Sequence, residues 1–258
     1  MAKIIDLNCD MGESFGVYKY GSDEEIITEI TSANIACGWH GGDPMVMDFT
    51  VGLCKTHGVN PGAHPGFPDL VGFGRRNMQI APRELRADII YQVGALQAFA
   101  HSHGLKLTHV KPHGNFYNMA AQDEEMALSI AQAVKDVNKD LILVGLSGSL
   151  LVRTGEKIGL AVAHEVFADR GYLPNGVLVP RTEPGAIIET TEEAVSRMVS
   201  LLENGYFAAN DGSPLYLKAD TICLHGDTPN AAAYARAIRL MLEENGVRIA
   251  PMPEVLGL

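Results

Sequence analysis

Short apolar runs alternate along the chain with longer segments whose apolar residues recur every three or four positions. The short runs predict strands at 4–9, 33–37, 59–63, 107–112, 141–146, 161–166, 219–225 and 247–250. Strands that alternate with helices form parallel sheets, because each parallel connection crosses over the sheet. The order therefore predicts an α/β protein. No change in composition marks a second domain, so we expect residues 1–258 to form one domain.

The helical segments have recognisable ends. Asp43 followed by Pro44 suits the start of a helix, and Gly58 suits its end. Other boundaries are a start near Pro82 with an end at Gly104, a Thr190–Glu193 capping box with an end at Gly205, and a start at Thr228–Pro229. The segment after Pro82 carries one apolar stripe, which is formed by Leu85, Ile89, Val93, Leu96 and Ala100.

Polar side chains follow nearly every predicted strand. A closed barrel gathers such residues around its whole C-terminal rim, whereas an open doubly wound sheet gathers them at one switch point. The residues at strand ends are Asn8, Asp10, Glu13, His40, Asp43, His64, Asp69, Lys111, His113, Asn115, Glu165, Asp169, Arg170, His225 and Asp227. This distribution predicts a distorted β/α barrel of about seven parallel strands, irregular at the fifth strand, which carries only small polar residues.

The predicted fourth strand places a lysine between two histidines. Side chains alternate along a strand, so Leu107, His109, Lys111 and His113 share one face. In a barrel this face is the interior, which we expect to be apolar at its base and increasingly polar toward the mouth.

A lysine inside a barrel needs a compensating anion. Asp6, Asn8 and Asp10 share one face of the first strand, so carboxylates are available. Lys111 is then either one half of a structural ion pair or a cation that holds a substrate carboxylate or a phosphoryl charge.

Histidines accumulate at or near strand ends, namely His40, His64, His109, His113, His164 and His225. A single histidine there is more often a hydrogen-bonded structural residue, but the accumulation favours a site. Alternation predicts that His164 faces away from Glu165. The residue types suit a metal, yet H-x-x-x-H on a strand lacks the ligand spacing of a zinc helix, so we expect no tightly bound zinc.

Two predicted connections, 65–80 and 171–189, are unusually long for a compact barrel. The first carries Arg75 and Arg76, and the second carries Arg181. Long loops at a barrel rim act as lids, and their arginines reach phosphate groups. The alternative is that these are surface arginines in mobile loops.

The charge of the chain restricts its partners. A formal net charge of −11 argues against nucleic acid and anionic membranes, which bind clustered Lys and Arg. No apolar run is long enough to span a bilayer, and no export signal begins the chain, so we expect a cytoplasmic protein. The scattered Cys9, Cys37, Cys54 and Cys223 have no zinc or disulfide spacing and predict small buried side chains. No phosphate-loop or dinucleotide motif is present.

Several longer stretches resemble one family. They are "DLNCDMGESFG", "ANIACGWHGGDP", "NPGAHPGFPD", "HVKPHG", "EVFADRGY", "LVPR" followed by "PGA", and "LHGDTP", in this order. By these stretches the chain is similar to the LamB/YcsF family over almost its whole length. One departure is "HGNFYN", where the family more usually has "HGALYN", so Asn115 places a polar group where alanine is common.

The resemblance implies a distorted β/α barrel related to the glycoside hydrolase and polysaccharide deacetylase superfamily. It also implies one component of an ATP-dependent 5-oxoprolinase, which opens 5-oxoproline to glutamate together with two partner subunits, B and C. ATP is then a co-substrate, accompanied by Mg²⁺.

For such chemistry we expect roles for the residues at the mouth. Asp10 or another carboxylate is the candidate base, Lys111 with Arg75, Arg170 or Arg181 neutralises phosphate or carboxylate, and His40 or His113 handles protons. Further candidates for binding substrate or phosphate are Asn8, Glu13, His64, His109, Asn115, Tyr117, Glu165, Asp169, His225 and Asp227. Two alternatives remain: a metal-dependent carbohydrate deacetylase, and a lactam-binding subunit without catalysis.

Overall fold

A computed structural model describes residues 3–188, 190–224 and 231–258. The strands are β1 (Lys3–Met11), β2 (Ser32–Ala36), β3 (Asn60–His64), β4 (His109–Val110), β5 (Ile142–Leu146), β6 (Val162–Phe167), β7 (Tyr206–Ala208), β8 (Pro214–Tyr216), β9 (Thr221–Leu224) and β10 (Val247–Ile249). The helices are α1 (Asp23–Ile26), α2 (Pro44–His57), α3 (Pro82–Ser102), α4 (Gly114–Ala120), α5 (Glu124–Val137), α6 (Leu150–Lys157), α7 (Thr191–Asn204), α8 (Ala231–Glu244) and α9 (Met252–Leu256).

Seven parallel strands close into a barrel. Their order is β1-β2-β3-β4-β5-β6-β9, and the ring closes because β9 pairs with both β6 and β1. The predicted distorted β/α barrel is therefore confirmed. The predicted strand at 247–250 is also present, as β10, which pairs with the first residues of β1.

Alternation along β1 separates the core from the barrel interior. Ile5, Leu7, Cys9 and Met11 face outward, where the surrounding helices bury them completely. The intervening side chains, Asp6, Asn8 and Asp10, face inward, as the sequence predicted. The main apolar core thus lies between the barrel and the ring of helices, and β1 directs polar groups into the interior.

The base of the interior is apolar on one side and polar on the other, so the prediction of an apolar base is only partly confirmed. On the side of β5 and β6, Ile142, Val144 and Ala163 form a buried apolar cluster with Met252 of α9. On the side of β1 the base is polar. Asp6 is fully buried there and accepts hydrogen bonds from Ser32 Oγ at 2.6 Å, Thr31 Oγ1 at 2.8 Å and Thr221 Oγ1 at 2.5 Å. A buried carboxyl group is tolerated where hydroxyl donors satisfy its oxygens. These donors come from β2, β9 and the residue before β2, so the pattern of the fourth strand does not reveal them.

The helix boundaries follow the predicted signals. Asp43 caps α2 by accepting hydrogen bonds from the main chain of Met45 and Val46, and Gly58 ends it with φ of 68°. The predicted stripe of α3 is buried, and the hydroxyl of Thr190 caps α7. The predicted helix start at Thr228–Pro229 lies outside the described residues.

Two strands differ from the prediction. The strand predicted at 107–112 shortens to the two residues of β4, although Lys111 and His113 still donate main-chain hydrogen bonds to Ala63 and Pro65. Pro112 has no N–H, which limits the regular ladder. The strand predicted at 219–225 begins at Thr221.

The antiparallel hairpin of β7 and β8 was not predicted. Its signal is the turn sequence "NDGS" at 210–213, in which Gly212 has φ of 84°. Within the described residues, no helix is long and apolar enough to cross a membrane.

Candidate active site

Lys111 lies at the centre of the barrel mouth. Its Nζ is 2.9 Å from Asp10 Oδ1 and 2.9 Å from Glu165 Oε1, and its side chain is almost completely buried. Cys223 Sγ lies 3.2 Å from the same nitrogen. The lysine is therefore compensated by carboxylates of β1 and β6, as its interior position required.

The charges of this group perturb one another. Burial lowers the pKa of Lys111, but the Asp10 and Glu165 carboxylates outweigh this effect and raise the pKa well above its usual value. Burial raises the pKa of Asp10, but His64 and Lys111 outweigh it and hold the pKa well below its usual value. Lys111 is thus a fixed cation and Asp10 a fixed carboxylate at neutral pH.

A second polar layer lies beneath Lys111. His109 Nε2 is 2.8 Å from Asn34 Oδ1, and Asn34 donates to Asn8 Oδ1 at 2.7 Å. Burial and the nearby Lys111 charge lower the pKa of His109 to about 3, so this histidine is neutral. Asn8 and His109 are fully buried and support the lysine layer rather than face the cavity.

Three histidines and one glutamate converge beside Asp10. The ligand atoms of Glu13, His40, His64 and His113 all lie within 4.8 Å of one another. Glu13 Oε1 is 3.1 Å from His40 Nε2 and 3.2 Å from His113 Nδ1. Each residue lies at or after the end of a different strand, so the closed barrel, and not spacing along the chain, brings them together.

The rings of this cluster are tightly packed. His40 stacks on His113 with ring centroids 3.5 Å apart and planes 3° from parallel. A Cβ at Gly74 would lie 2.7 Å from His113 Cδ2, and a Cβ at Gly66 would lie 2.5 Å from His40 Nδ1. The first long loop therefore needs glycine where it passes over the stacked rings.

Charge and burial fix the state of two members. Burial and the neighbouring His113 lower the pKa of His40 to about 3. Burial raises the pKa of Glu13, but the neighbouring His113 and His40 outweigh it and place the pKa below its usual value. Glu13 is therefore ionised and His40 neutral.

A cavity of about 540 Å³ opens above these groups. Of the predicted site residues, the structure brings ten to its wall: Asp10, Glu13, His64, Arg75, Lys111, His113, Asn115, Tyr117, Arg170 and Arg181. Asn8, His40, His109, Glu165 and Asp169 lie outside the wall, and His225 and Asp227 lie outside the described residues. The volume suits a small ligand.

Tyr117 and Arg170 occupy different parts of that wall. Burial raises the pKa of Tyr117 well above its usual value, and the Glu165 charge adds to the rise, so its hydroxyl stays protonated. Arg170 Nε donates to the main-chain oxygen of Ala186 at 3.0 Å and Nη2 to that of Val179 at 2.7 Å. Arg170 thus holds the second long loop in place.

His164 lies outside the site, as alternation predicted. Its Nε2 is 3.4 Å from Glu156 Oε1 of α6, whereas Glu165 points into the barrel toward Lys111. The four cysteines are free and buried, as predicted. Among them, Cys223 was missed as a neighbour of Lys111.

The sequence did not predict several other residues of the cavity wall, including Tyr20, Asp23, Asn118, Gln122 and Phe167. Asp23 Oδ2 accepts a hydrogen bond from Gly12 N at 2.7 Å, and burial raises its pKa to about 6. Asp23 follows no strand directly, so the strand-end pattern could not reveal it.

Comparison with known proteins places this barrel in a family. The model of the LamB/YcsF family matches residues 5–257. The chain belongs to the LamB/YcsF family. Within it, a protein of Pyrococcus horikoshii that is named as the A subunit of 5-oxoprolinase is 55% identical over 98% of this chain and 99% of that protein. The protein of the same name from Clostridium beijerinckii is 50% identical over 97% and 98%.

Solved structures share the fold of this chain. The lactam utilization protein from Thermus thermophilus has a TM-score of 0.90 and 49% identity, and covers 95% of this chain and 98% of that chain. A protein structure from Enterococcus faecalis V583 has a TM-score of 0.55 at 10% identity over 99% of both chains, which shows a common fold alone.

Proposed function

We propose that this chain is one component of an ATP-dependent 5-oxoprolinase, which hydrolyses the lactam of 5-oxo-L-proline to L-glutamate while ATP is hydrolysed. The observation that carries the proposal is the 55% identity, over 98% of the chain, to a protein named as the A subunit of 5-oxoprolinase. The cavity supports it, since a space of about 540 Å³ with carboxylate, lysine and arginine side chains suits a small carboxylated ring.

The chemistry explains the demand for ATP. A lactam is a resonance-stabilised amide and a poor electrophile. Transfer of the γ-phosphoryl group of ATP to the lactam oxygen gives a reactive imidate phosphate and ADP. Water then adds to the same carbon, and the ring C–N bond breaks as the nitrogen takes up a proton, which leaves an acyl phosphate. A second water hydrolyses this acyl phosphate to the carboxylate of glutamate and free phosphate. This route needs a base for water and cations around the phosphoryl group.

The residues of the mouth suit these roles. Asp10 is the base of the proposal, because its ionised carboxylate lines the cavity 3.2 Å from His64 Nε2. His113 lines the cavity as the candidate proton carrier, whereas His40 lies behind it. Lys111 supplies a fixed positive charge, and Arg75 and Arg181 of the two long loops line the same cavity.

The remaining parts of the proposal concern the assembly. ATP, accompanied by Mg²⁺, is the co-substrate, and two further subunits, B and C, complete the enzyme in the cytoplasm. The relatives are named as one lettered subunit, which supports an enzyme of more than one chain. Residues 1–258 act in it as one barrel domain, and loops 65–80 and 171–189 meet the partners.

The test is ATP-dependent release of glutamate from 5-oxoproline, measured for the chain alone and after addition of the partner subunits. We expect efficient release only from the complete assembly. Full ATP-coupled turnover by the isolated chain would contradict the shared site. Turnover of an acetylated sugar by the chain alone, with no lactam opening in the assembly, would replace the proposal with a deacetylase.

A further inference from the structure

The hydrogen bonds of His64 and His113 determine which nitrogen of each ring carries a proton. His64 Nδ1 lies 2.7 Å from the main-chain oxygen of Lys111, and His113 Nε2 lies 2.8 Å from that of Phe73. A carbonyl oxygen only accepts, so each of these nitrogens carries a proton and donates. In the neutral rings, His64 Nε2 and His113 Nδ1 are therefore lone-pair atoms.

These two lone-pair atoms face each other at 3.0 Å. Two acceptors at this distance repel each other unless a positive species lies between or beside them. The ionised oxygens of Glu13 and Asp10 increase this repulsion, because Glu13 Oε1 is 3.2 Å from His113 Nδ1 and Asp10 Oδ2 is 3.2 Å from His64 Nε2. Four acceptor atoms thus converge on one point of the mouth.

We propose that His64 Nε2, His113 Nδ1 and Glu13 Oε1, with Asp10 Oδ2 beside them, form a site for one divalent transition-metal ion of the Zn²⁺ type. Neighbouring ligand atoms around tetrahedral zinc lie about 3.4 Å apart, given bonds of about 2.0–2.2 Å. The separations here are 3.0, 3.2 and 3.2 Å, with 4.0 Å between His64 Nε2 and Glu13 Oε1. The donor atoms are therefore already close to the distances that such an ion requires.

The second shell matches this assignment. Ligating histidines ordinarily donate their other ring N–H to a carbonyl or carboxylate, as His64 and His113 both do. His40 has a positioning role: its Nδ1 is buried without a hydrogen-bond partner, so the proton lies on Nε2 and is donated to Glu13 Oε1 at 3.1 Å. His40 thereby orients the glutamate.

The local charge favours a dication. The carboxylates of Asp10, Glu13 and Glu165 contribute three negative charges, and Lys111 contributes one positive charge in contact with two of them. These four described side chains together leave two negative charges, which a divalent ion balances. Imidazole nitrogen selects Zn²⁺ or a similar ion over Mg²⁺, so this site differs from the Mg²⁺ that accompanies a nucleotide.

Spacing along the chain does not predict this site, because its ligands come from the ends of different strands. Such an ion supplies a Lewis acid that polarises a carbonyl oxygen or lowers the pKa of a bound water. The inference goes beyond the proposed function and does not depend on it, since its test measures metal and not turnover. When the ion is bound, His113 acts as a ligand and no longer as a proton carrier.

The test uses the full chain, stripped with EDTA and titrated with Co²⁺ alone, which reports its ligands by visible absorption. A parallel titration with Zn²⁺ is followed by elemental analysis. We expect one ion per chain, with absorption typical of a four-coordinate site. Glu13→Gln and His113→Asn should each weaken binding at least tenfold, and His40→Asn should weaken it roughly tenfold by releasing Glu13.

His103→Asn is the matched control, because His103 also pairs with a carboxylate, Asp48, but lies outside the cluster. It should leave the affinity unchanged. Glu13→Gln keeps the shape of the side chain, and its metal-free thermal midpoint verifies that it is folded. The proposal is overturned if the affinity of the wild type for Co²⁺ is no higher than that of the folded Glu13→Gln variant. Equal loss in His103→Asn would likewise overturn it.

Discussion

Lys111 combines a structural and a functional role that two substitutions can separate. Lys111→Met keeps most of the stem and removes the charge, which leaves Asp10 and Glu165 without their shared cation. We expect the free energy of unfolding to fall by about 3 kcal/mol, the usual cost of breaking a buried ion pair from one side. Lactam opening by the complete assembly should be lost. Urea unfolding and glutamate release measure the two effects.

A double variant distinguishes the roles. Lys111→Met combined with Glu165→Gln removes one of the two carboxylates that lose their cation. The double variant should therefore recover part of the lost stability but none of the turnover. Lys106→Met, an exposed lysine before β4, controls for the loss of a lysine. Near wild-type turnover in the double variant would show that Lys111 only stabilises the barrel.

Alternation alone correctly placed the side chains of His109, Lys111 and His113 inside the barrel. It also paired the lysine with the face of β1 that carries Asp10. It could not place Glu13, since Glu13 follows the end of β1 and reaches the histidines through a turn. Alternation therefore predicted which strand side chains face inward, but not how the polar residues that follow the strand ends contact one another.

The two long loops bring arginines to the cavity by different means. Arg170 binds the second loop through the main-chain oxygens of Ala186 and Val179, and the first loop is closed by Arg76, which pairs with Asp69. Arg75 and Arg181 then line the cavity from the two loops. Loops fixed in this way position guanidinium groups for phosphate or carboxylate.

We expect Arg75→Ala and Arg181→Ala each to reduce kcat/KM of the complete assembly at least tenfold, because each removes a positive charge from the cavity wall. Steady-state kinetics with ATP and with 5-oxoproline measure the loss, and size-exclusion chromatography measures assembly. Arg153→Ala, on the exposed face of α6, is the matched control. If both variants assemble and turn over normally, the loops contribute no charge to the reaction.

Strands and helices were predictable to different degrees. Proline and glycine marked the ends of α2, α3 and α7 well, because these residues act through the local backbone. β4 was overestimated, since the ladder depends on the partner strands and not only on its own apolar pattern. The hairpin of β7 and β8 was missed because its strands of three residues are too short for a periodic signal.

Closure of the barrel is coupled to the state of Asp6. Its carboxyl group joins β1 to β2 and β9 through Ser32 and Thr221. Burial raises its pKa from 3.8 to about 6, although the hydroxyl donors oppose the rise. The protonated form is thus favoured by folding, so its stabilising contribution is complete below about pH 4 and is lost as the pH rises through 6.

We expect the unfolding free energy of the wild type, relative to that of Asp6→Asn, to fall by about 3 kcal/mol between pH 4 and 7. Urea unfolding at several pH values measures this difference, and the other titrating groups cancel in it. Asp140→Asn, at an exposed position, is the control, and its unfolding free energy should depend on pH as that of the wild type does. If the unfolding free energies of the wild type and Asp6→Asn depend on pH in the same way, the folded protein accommodates the ionised carboxylate of Asp6 as well as the protonated form.

The pairing of β1 with β9 has a consequence for synthesis on the ribosome. Asp6 and its partner Thr221 are 215 residues apart, so one edge of β1 has no neighbour until almost the whole chain has emerged. At usual translation rates this interval is about 10–40 s. An unpaired strand edge is prone to pair with other chains during that time. The nascent chain is therefore most exposed to aggregation, and most dependent on chaperones, before its last barrel strand is made.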